Sequence, residues 1–361
     1  MLSGGACCSK LWREVSSLVR IALDAMGGDH APGEVIQGGL LAVMEMTDLH
    51  LLLVGPQERL KTYLAGVEYP QERVEIVDAS EVITDDEAPA LAVRRKRNAS
   101  LTTAVRLIKE GVADAAVSAG NTGALMAAGL LVLGRMPDIE RPALSACLSV
   151  FSGGSTVLLD VGANMDASAE HLLQYAVMGT VYAREILGKR EPKVALLNVG
   201  TEEGKGNEQV KEAYGLLKGR LPGFVGNVEA RDVFGGVADV VVCDGFVGNI
   251  LLKTAEGLSA GIFGSLREAF AADLRGRVGA TLLLPQLQKL KKRMDYSEHG
   301  GAPLLGVDGV CIKSHGSSKA QAIRNAVVRQ AYCAVKLNIN EQIRKQLLAL
   351  QPTSGRMTGE R

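Results

Sequence analysis

The sequence predicts an α/β fold in which a largely parallel sheet is covered by helices on both faces. Three observations lead there. The chain has 361 residues, enough for two domains or one large α/β unit. Its composition, 47% hydrophobic and 22% charged, supplies enough apolar surface to offset chain entropy and excludes wholesale disorder. Short runs rich in Val, Ile, Leu and Ala recur, each ending in Gly or a small polar cluster and each followed by a helical pattern. Strands alternating with helices imply crossover units, and crossover units imply parallel pairing.

Residues 1–18 stand before the first strand. Leu2-Ser3-Gly4-Gly5-Ala6-Cys7 hints at a lipoprotein cleavage box, but the basic and apolar regions of a signal peptide are missing in front of it, so the segment reads as a disordered or dispensable extension. Strands are expected at 20–24, 50–54, 74–77, 113–118, 156–160, 193–198 and 239–243, with further ones near 143–150 and 307–312. The uncharged stretch 115–134 is nominally long enough to cross a bilayer. Ser118, Asn121 and Thr122 interrupt it, and a Gly-flanked turn between a strand and a helix accounts for it better. The expected α/β domain covers 19–348, includes a helical hairpin at about 249–294, and leaves 349–361 as a tail. In the hairpin, Leu251, Ala255, Leu258, Ile262, Leu266, Phe270 and Leu274 follow helical spacing. Arg275-Gly276-Arg277 then breaks the pattern before the apolar run 278–284, and a second stripe follows at Leu283, Leu287, Leu290 and Met294.

Composition also excludes several function classes. Lys+Arg and Asp+Glu are 40 each, so nothing global points to nucleic acid, and any charged partner must meet a local patch. The six cysteines form no CxxC pair and no zinc spacing; four sit in apolar runs and read as buried thiols of a reducing compartment. No GxGxxG follows a strand with a suitably placed acid, and the Gly200–Gly206 stretch lacks the spacing and the Ser/Thr of a Walker A loop. A GxSxG elbow and an HExxH helix are absent as well. Neither a cofactor nor a metal is expected. His171 reads as a packed or surface histidine, and Cys243 as an inert core thiol rather than a nucleophile.

The chemistry is expected just after the strands, where open α/β sheets bind ligands. Six turns there carry Gly together with Asp, Asn, Thr, Ser or His. They supply Asp24, Gly27, Gly28, Asp29 and His30; Ser118, Gly120, Asn121, Thr122 and Gly123; Asp160 and Asn164; Asn198, Gly200, Thr201, Lys205 and Asn207; Asp244 and Asn249; and His315. Glycine lets backbone N–H groups turn inward and a helix N-terminus follows, which suits phosphate or another oxyanion. One such turn is common in any α/β protein; six are harder to dismiss as purely structural.

The strings IALDAMGGDHAPG at 21–33, SAGNTGALMAAGL at 118–130, LLDVGANMD at 158–166, LLNVGTEEGKGNE at 196–208, GNVEARD at 226–232, DGFVGN at 244–249, MDYSEHGGAPLLGV at 294–307 and SHGSS at 314–318 together resemble the phosphate acyltransferase (PlsX) family of bacterial phospholipid synthesis. The resemblance runs in order from about Arg20 to about Arg344. It implies a three-layer α/β/α sandwich related to isopropylmalate dehydrogenases and phosphotransacetylases. It also implies a homodimer that moves a long-chain acyl group from acyl carrier protein to inorganic phosphate, giving acyl phosphate. A phosphotransacetylase-like enzyme acting on short acyl-CoA is the alternative.

For that chemistry phosphate must be desolvated, aimed at a thioester carbonyl and relieved of a proton. Lys205 is the expected cation, with Asn207 and Asn198 as donors and the 120–123 turn as a second donor set. His30 and His315 are the expected proton handlers, oriented by Asp24, Asp29 or Asp244. Arg94-Arg95-Lys96-Arg97, ahead of a capping Asn98, suits docking of an acidic carrier protein, and suits a solvated charge run equally well. Leu282, Leu283 and Leu284 beside Lys289, Lys291, Lys292 and Arg293 suit an anionic membrane surface; a buried or dimer-forming helix pair is the competing reading. The expected place is therefore cytoplasmic, against the inner face of the membrane, in reach of a downstream glycerol-3-phosphate acyltransferase.

Overall fold

A computed structural model describes residues 18–294 and 300–350. The extension through residue 17, the 295–299 part of the MDYSEHGG motif and the tail from residue 351 lie outside the described residues. Apolar runs become strands, and these are buried on both faces except at the two edges of the sheet. They are β1 (Val19–Asp24), β2 (Leu49–Gly55), β3 (Val74–Asp78), β4 (Ala115–Ser118), β5 (Ala143–Ser149), β6 (Ser155–Leu159), β7 (Val194–Asn198), β8 (Phe224–Glu229), β9 (Val240–Val242), β10 (Ala302–Leu305) and β11 (Val310–Lys313). The sheet order is β3-β2-β1-β4-β11-β10-β5-β6-β9-β7-β8.

The main helices are α1 (Gly33–Glu45), α2 (Gln57–Leu64), α3 (Pro89–Arg95), α4 (Ser100–Lys109), α5 (Thr122–Ala128), α6 (Ala169–Glu185), α7 (Glu208–Arg220), α8 (Gly245–Ala271), α9 (Leu274–Met294), α10 (Ala320–Asn325) and α11 (Ile339–Leu350). Helices cover both faces, as the buried strands require. One face carries a core that runs through both halves of the sheet, from Ala22 and Leu52 to Leu158 and Val241, under α3, α4 and α5. The other face carries two cores, one beneath α1 around Leu23 and Leu51, the other beneath α6 around Tyr175 and Tyr182. The result is the α/β/α sandwich that the resemblance implies.

The sheet is not uniformly parallel. β3, β2, β1, β4 and β11 pair in parallel, as do β6, β9, β7 and β8, but β10 is antiparallel to β11 and β5, and β5 is antiparallel to β6. Two parallel sets therefore run in opposite directions, and their carboxyl ends lie at opposite edges. The six turns consequently split into two groups. Those after β1, β4 and β11 share one edge, and those after β6, β7 and β9 share the other.

The hairpin also differs in detail from expectation. Its turn falls at Ala272-Asp273, where Asp273 Oδ1 accepts the Gly276 N–H at 2.6 Å and so opens α9. Residues 275–284 are inside α9, not at a turn, and Pro285 is inside it too. Val278, Leu282, Leu283 and Leu284 are nonetheless exposed, Leu282 at 73%. The side chains of Lys289, Lys291, Lys292 and Arg293 lie outside the described residues.

Candidate active site

The turns after β1, β4 and β11 are stitched together around Asp24. Asp24 is fully buried at the end of β1, accepts Ser118 Oγ–H at 2.6 Å and accepts the Met26 N–H at 3.2 Å. Burial pushes its carboxyl up, against the pull of Ser100, Ser118 and the Met26 and Gly27 amides. Ser118 Oγ in turn accepts the Gly120 N–H at 3.0 Å. Gly27 must be glycine here, because a Cβ would stand 2.5 Å from both Asp24 Oδ2 and Gly120 N. The Asp29 N–H donates to Gly316 O at 2.9 Å and ties the first turn to the last.

Beside this edge lies a cavity of about 340 Å³. Thr122 and Gly123 from the β4 turn, Gly162 from the β6 turn, Asn249, Lys253 and Glu256 from α8, and Lys313, Ser314 and His315 from the β11 end line it, with Leu144, Ala146 and Leu252 as apolar wall. It sits over the central antiparallel strands, where α8 crosses back from the opposite edge. Asp244 starts that crossing by capping α8, accepting the Val247 N–H at 2.8 Å. Asn121 caps α5 in the same manner through the Ala124 N–H at 2.9 Å.

His315 lines the cavity, with much of its side chain exposed. Its Nδ1 accepts the Ser317 N–H at 3.2 Å and lies 2.8 Å from Ser317 Oγ, which places the hydrogen of the neutral ring on Nε2. Burial first, with Lys313 and Lys253 assisting and Glu256 opposing, holds the imidazole below the usual histidine range. It is therefore a neutral Nε2–H donor at neutral pH. A second space, of about 610 Å³, adjoins the first, with Leu252 and Glu256 lining both. It is an apolar groove walled by Leu148, Val150, Phe151, Phe234, Ala255, Leu258, Ile262 and Phe263.

The other expected residues stand apart from the cavity within this chain. Lys205 is exposed in a self-contained turn, where its carbonyl accepts Asn198 Nδ2–H at 3.1 Å. Asn207 caps α7 through the Val210 N–H at 2.9 Å, and Gly200 and Thr201 belong to the same turn. This separation follows from the reversal at β5: β7 ends at the other edge. His30 is exposed at the start of α1. Asn164 spends its amide on Pro142 O at 2.7 Å and on Asp160 Oδ2 at 3.1 Å, so it braces the buried Asp160. Gly28, at φ +102°, holds the close contact of the first turn with Ala119.

Arg94, Arg95 and Arg97 are exposed, whereas Lys96 is tied to Glu87 at 2.6 Å and Val82 O at 2.8 Å. Asn98 does not cap α4; its amide donates to Ser80 Oγ at 3.0 Å, and Ala99 takes the cap position. His171 completes a capping box with Ser168 and meets Glu140 at 3.0 Å. Cys243 is buried, and burial pushes its thiol far up, which keeps it protonated. No helix among the described residues is long and apolar enough to cross a membrane.

The family model described as fatty acid synthesis protein matches residues 19–342. A phosphate acyltransferase of Desulfitobacterium hafniense is 53% identical over 330 residues, covering 91% of this chain and 98% of its own. One from Brevibacillus brevis is 52% identical over 332 residues, covering 91% and 97%. Among solved structures, a phosphotransacetylase from Streptococcus pyogenes overlays with a TM-score of 0.60 at 19% identity, covering 88% of this chain and 94% of its own. A branched-chain phosphotransacylase from Enterococcus faecalis gives 0.54 at 16% identity, covering 88% and 99%. At that identity the two structures establish a shared fold.

Proposed function

Because the chain belongs to the fatty acid synthesis protein family, we propose that it is a phosphate acyltransferase, moving a long-chain acyl group from acyl carrier protein to inorganic phosphate. The observation that carries this reading is a cavity lined by Thr122, Asn249 and His315 that adjoins a larger apolar groove, with Leu252 and Glu256 lining both. The thioester carbonyl sits in the first space and the acyl chain in the second. A two-carbon acyl group would leave the groove unused, which weighs against the short-chain acyl-CoA reading that the phosphotransacetylase fold invites.

Hydrogen phosphate dianion is itself the nucleophile. Its oxygen forms the new bond to the carbonyl carbon, the C–S bond breaks, and the phosphate proton ends on the departing sulfur. Acyl phosphate and free thiol result, with no acyl-enzyme needed. Neutral His315 donates through Nε2 to the developing oxyanion or the sulfur, and Asn249 and Thr122 add donors from opposite walls. Filling the groove tests the assignment. Ala255→Trp is expected to lower kcat/KM for long-chain donors at least tenfold, as ~1–3 kcal/mol of apolar binding is lost. Donors of four carbons or fewer should change less than about threefold by the same logic. Equal losses for all chain lengths would mean that the acyl chain lies elsewhere.

We propose the carrier-protein dock at Arg94, Arg95 and Arg97. Helix α3, which bears the first two, touches the cavity turn, since a Cβ on Gly123 would meet Pro89 at 2.6 Å. An acidic partner held there stands near the cavity mouth. The enzyme works as a homodimer at the inner face of the membrane, where α9 presents Leu282, Leu283 and Leu284, within reach of the acyltransferase that consumes its product. Leu282→Glu with Leu284→Glu is expected to release the protein from anionic vesicles in a sedimentation assay, since each leucine contributes ~1.5–3 kcal/mol when buried. Release with solubility and turnover retained supports the anchor; aggregation or a broken dimer identifies an interface instead.

A further inference from the structure

The cavity holds two buried donors that the mechanism above leaves without a task. Lys313 ends β11 at 7% exposure, and its ammonium donates to Ala119 O at 3.3 Å and to Ser314 O. Two of its three donors are thus spent on backbone carbonyls, and among the described residues no carboxylate stands within ion-pair distance. Ser314 follows at 1% exposure, fixed by its N–H to Ser118 O at 2.8 Å, yet its Oγ has no hydrogen-bond partner among the described residues. Both line the cavity. An interior seldom keeps a cation and an unspent hydroxyl side by side, since each costs stability unless something polar completes it.

The surroundings set what that is. Burial holds the ammonium down to about 8, against Asp85 before α3, Asp24 at the end of β1 and Asp29 after it, with Lys253 of α8 assisting. The Lys313 amine remains mainly cationic at neutral pH. Asp24 directs its oxygens to Ser118 and Met26 rather than to the amine. A positive group and a neutral donor side by side in the lining of the cavity fit a small polyoxyanion.

We propose that Lys313 Nζ and Ser314 Oγ bind the oxygens of the phosphate nucleophile, holding it against the thioester carbonyl. The inference rests on the phosphate acyltransferase reading and adds the residues that select the nucleophile.

Steady-state kinetics with phosphate and acyl donor varied separately, and titration of inorganic phosphate into the donor-free protein, test it. Ser314→Ala and Lys313→Met should each raise the phosphate KM and Kd about 10- to 100-fold, the worth of one hydrogen bond to a charged group. The acyl-donor KM should stay within about twofold, because the groove is untouched. Ser314→Ala should also keep or raise Tm, since it removes an unsatisfied buried hydroxyl. If Lys313→Met fails to fold, Ser314→Ala decides alone. An unchanged phosphate KM, a shift confined to the acyl-donor KM, or a lowered Tm with proportionate loss of everything would overturn the assignment. Wild-type protein that neither binds phosphate nor needs it for thioester consumption would overturn the functional reading itself, whereas a phosphate-dependent wild type with unaffected variants overturns the donor pair alone.

Discussion

His315→Ala is expected to lower kcat about 10²- to 10⁴-fold without unfolding the protein. The ring sits where β11 delivers it to the cavity, its Nδ1 held by Ser317 so that Nε2 carries the hydrogen. Removing it takes away a group needed while negative charge builds on oxygen and then sulfur, so kcat should fall more than the acyl-donor KM rises. The fold should tolerate the loss, because His315 is a turn residue outside the three cores. Single-turnover rates with saturating phosphate, together with a melting curve, check both halves. Retained kcat would remove His315 from the reaction.

The second large effect is on stability. Gly248→Ala would place a methyl 1.8 Å from Asp160 O and 3.0 Å from Cys243 Sγ, in the first turn of α8 where it crosses the end of β6. Backbone cannot yield there as a flexible side chain can. The expected cost is at least ~3 kcal/mol, and at ~1–2 °C per kcal/mol for a chain of this length the melting temperature should drop by about 3–6 °C. Gly257→Ala in the same helix meets open space and should raise stability by up to ~1 kcal/mol through helix propensity. Thermal denaturation of the pair reads opposite signs. A Gly248→Ala protein as stable as wild type would mean that α8 does not dock on β6 in this way.

Much of the fold was legible because buried strands carry their own signal. Runs such as Leu51–Val54 and Val240–Val242 are apolar throughout, and nine of the eleven strands stand where such runs predict them. β8 and β10 were not legible. β8 is an edge strand, largely half-exposed with Gly226 and Asn227 inside it, and β10 is only Ala-Pro-Leu-Leu. The reversal of direction falls where β5 pairs antiparallel with β6, and that reversal decides which turns can meet. Each turn could be read from its glycines, but their grouping depends on long-range pairing that no local pattern contains. Lys205 stood out by its Gly-rich setting and is exposed; Lys313 looked like an ordinary lysine and is buried. The readable sign was its place, directly after the apolar Val310-Cys311-Ile312 and directly before Ser314-His315-Gly316.

The most direct measurement is thioester consumption by the purified protein, with long-chain acyl carrier protein and acetyl-CoA compared side by side, with and without inorganic phosphate, and product trapped by hydroxylamine. Consumption of the long-chain donor only when phosphate is present, with a trappable acyl phosphate and a lower rate on acetyl-CoA, is the expected result. Faster turnover of acetyl-CoA, or thioester loss that ignores phosphate, would contradict a phosphate acyltransferase built around an apolar groove.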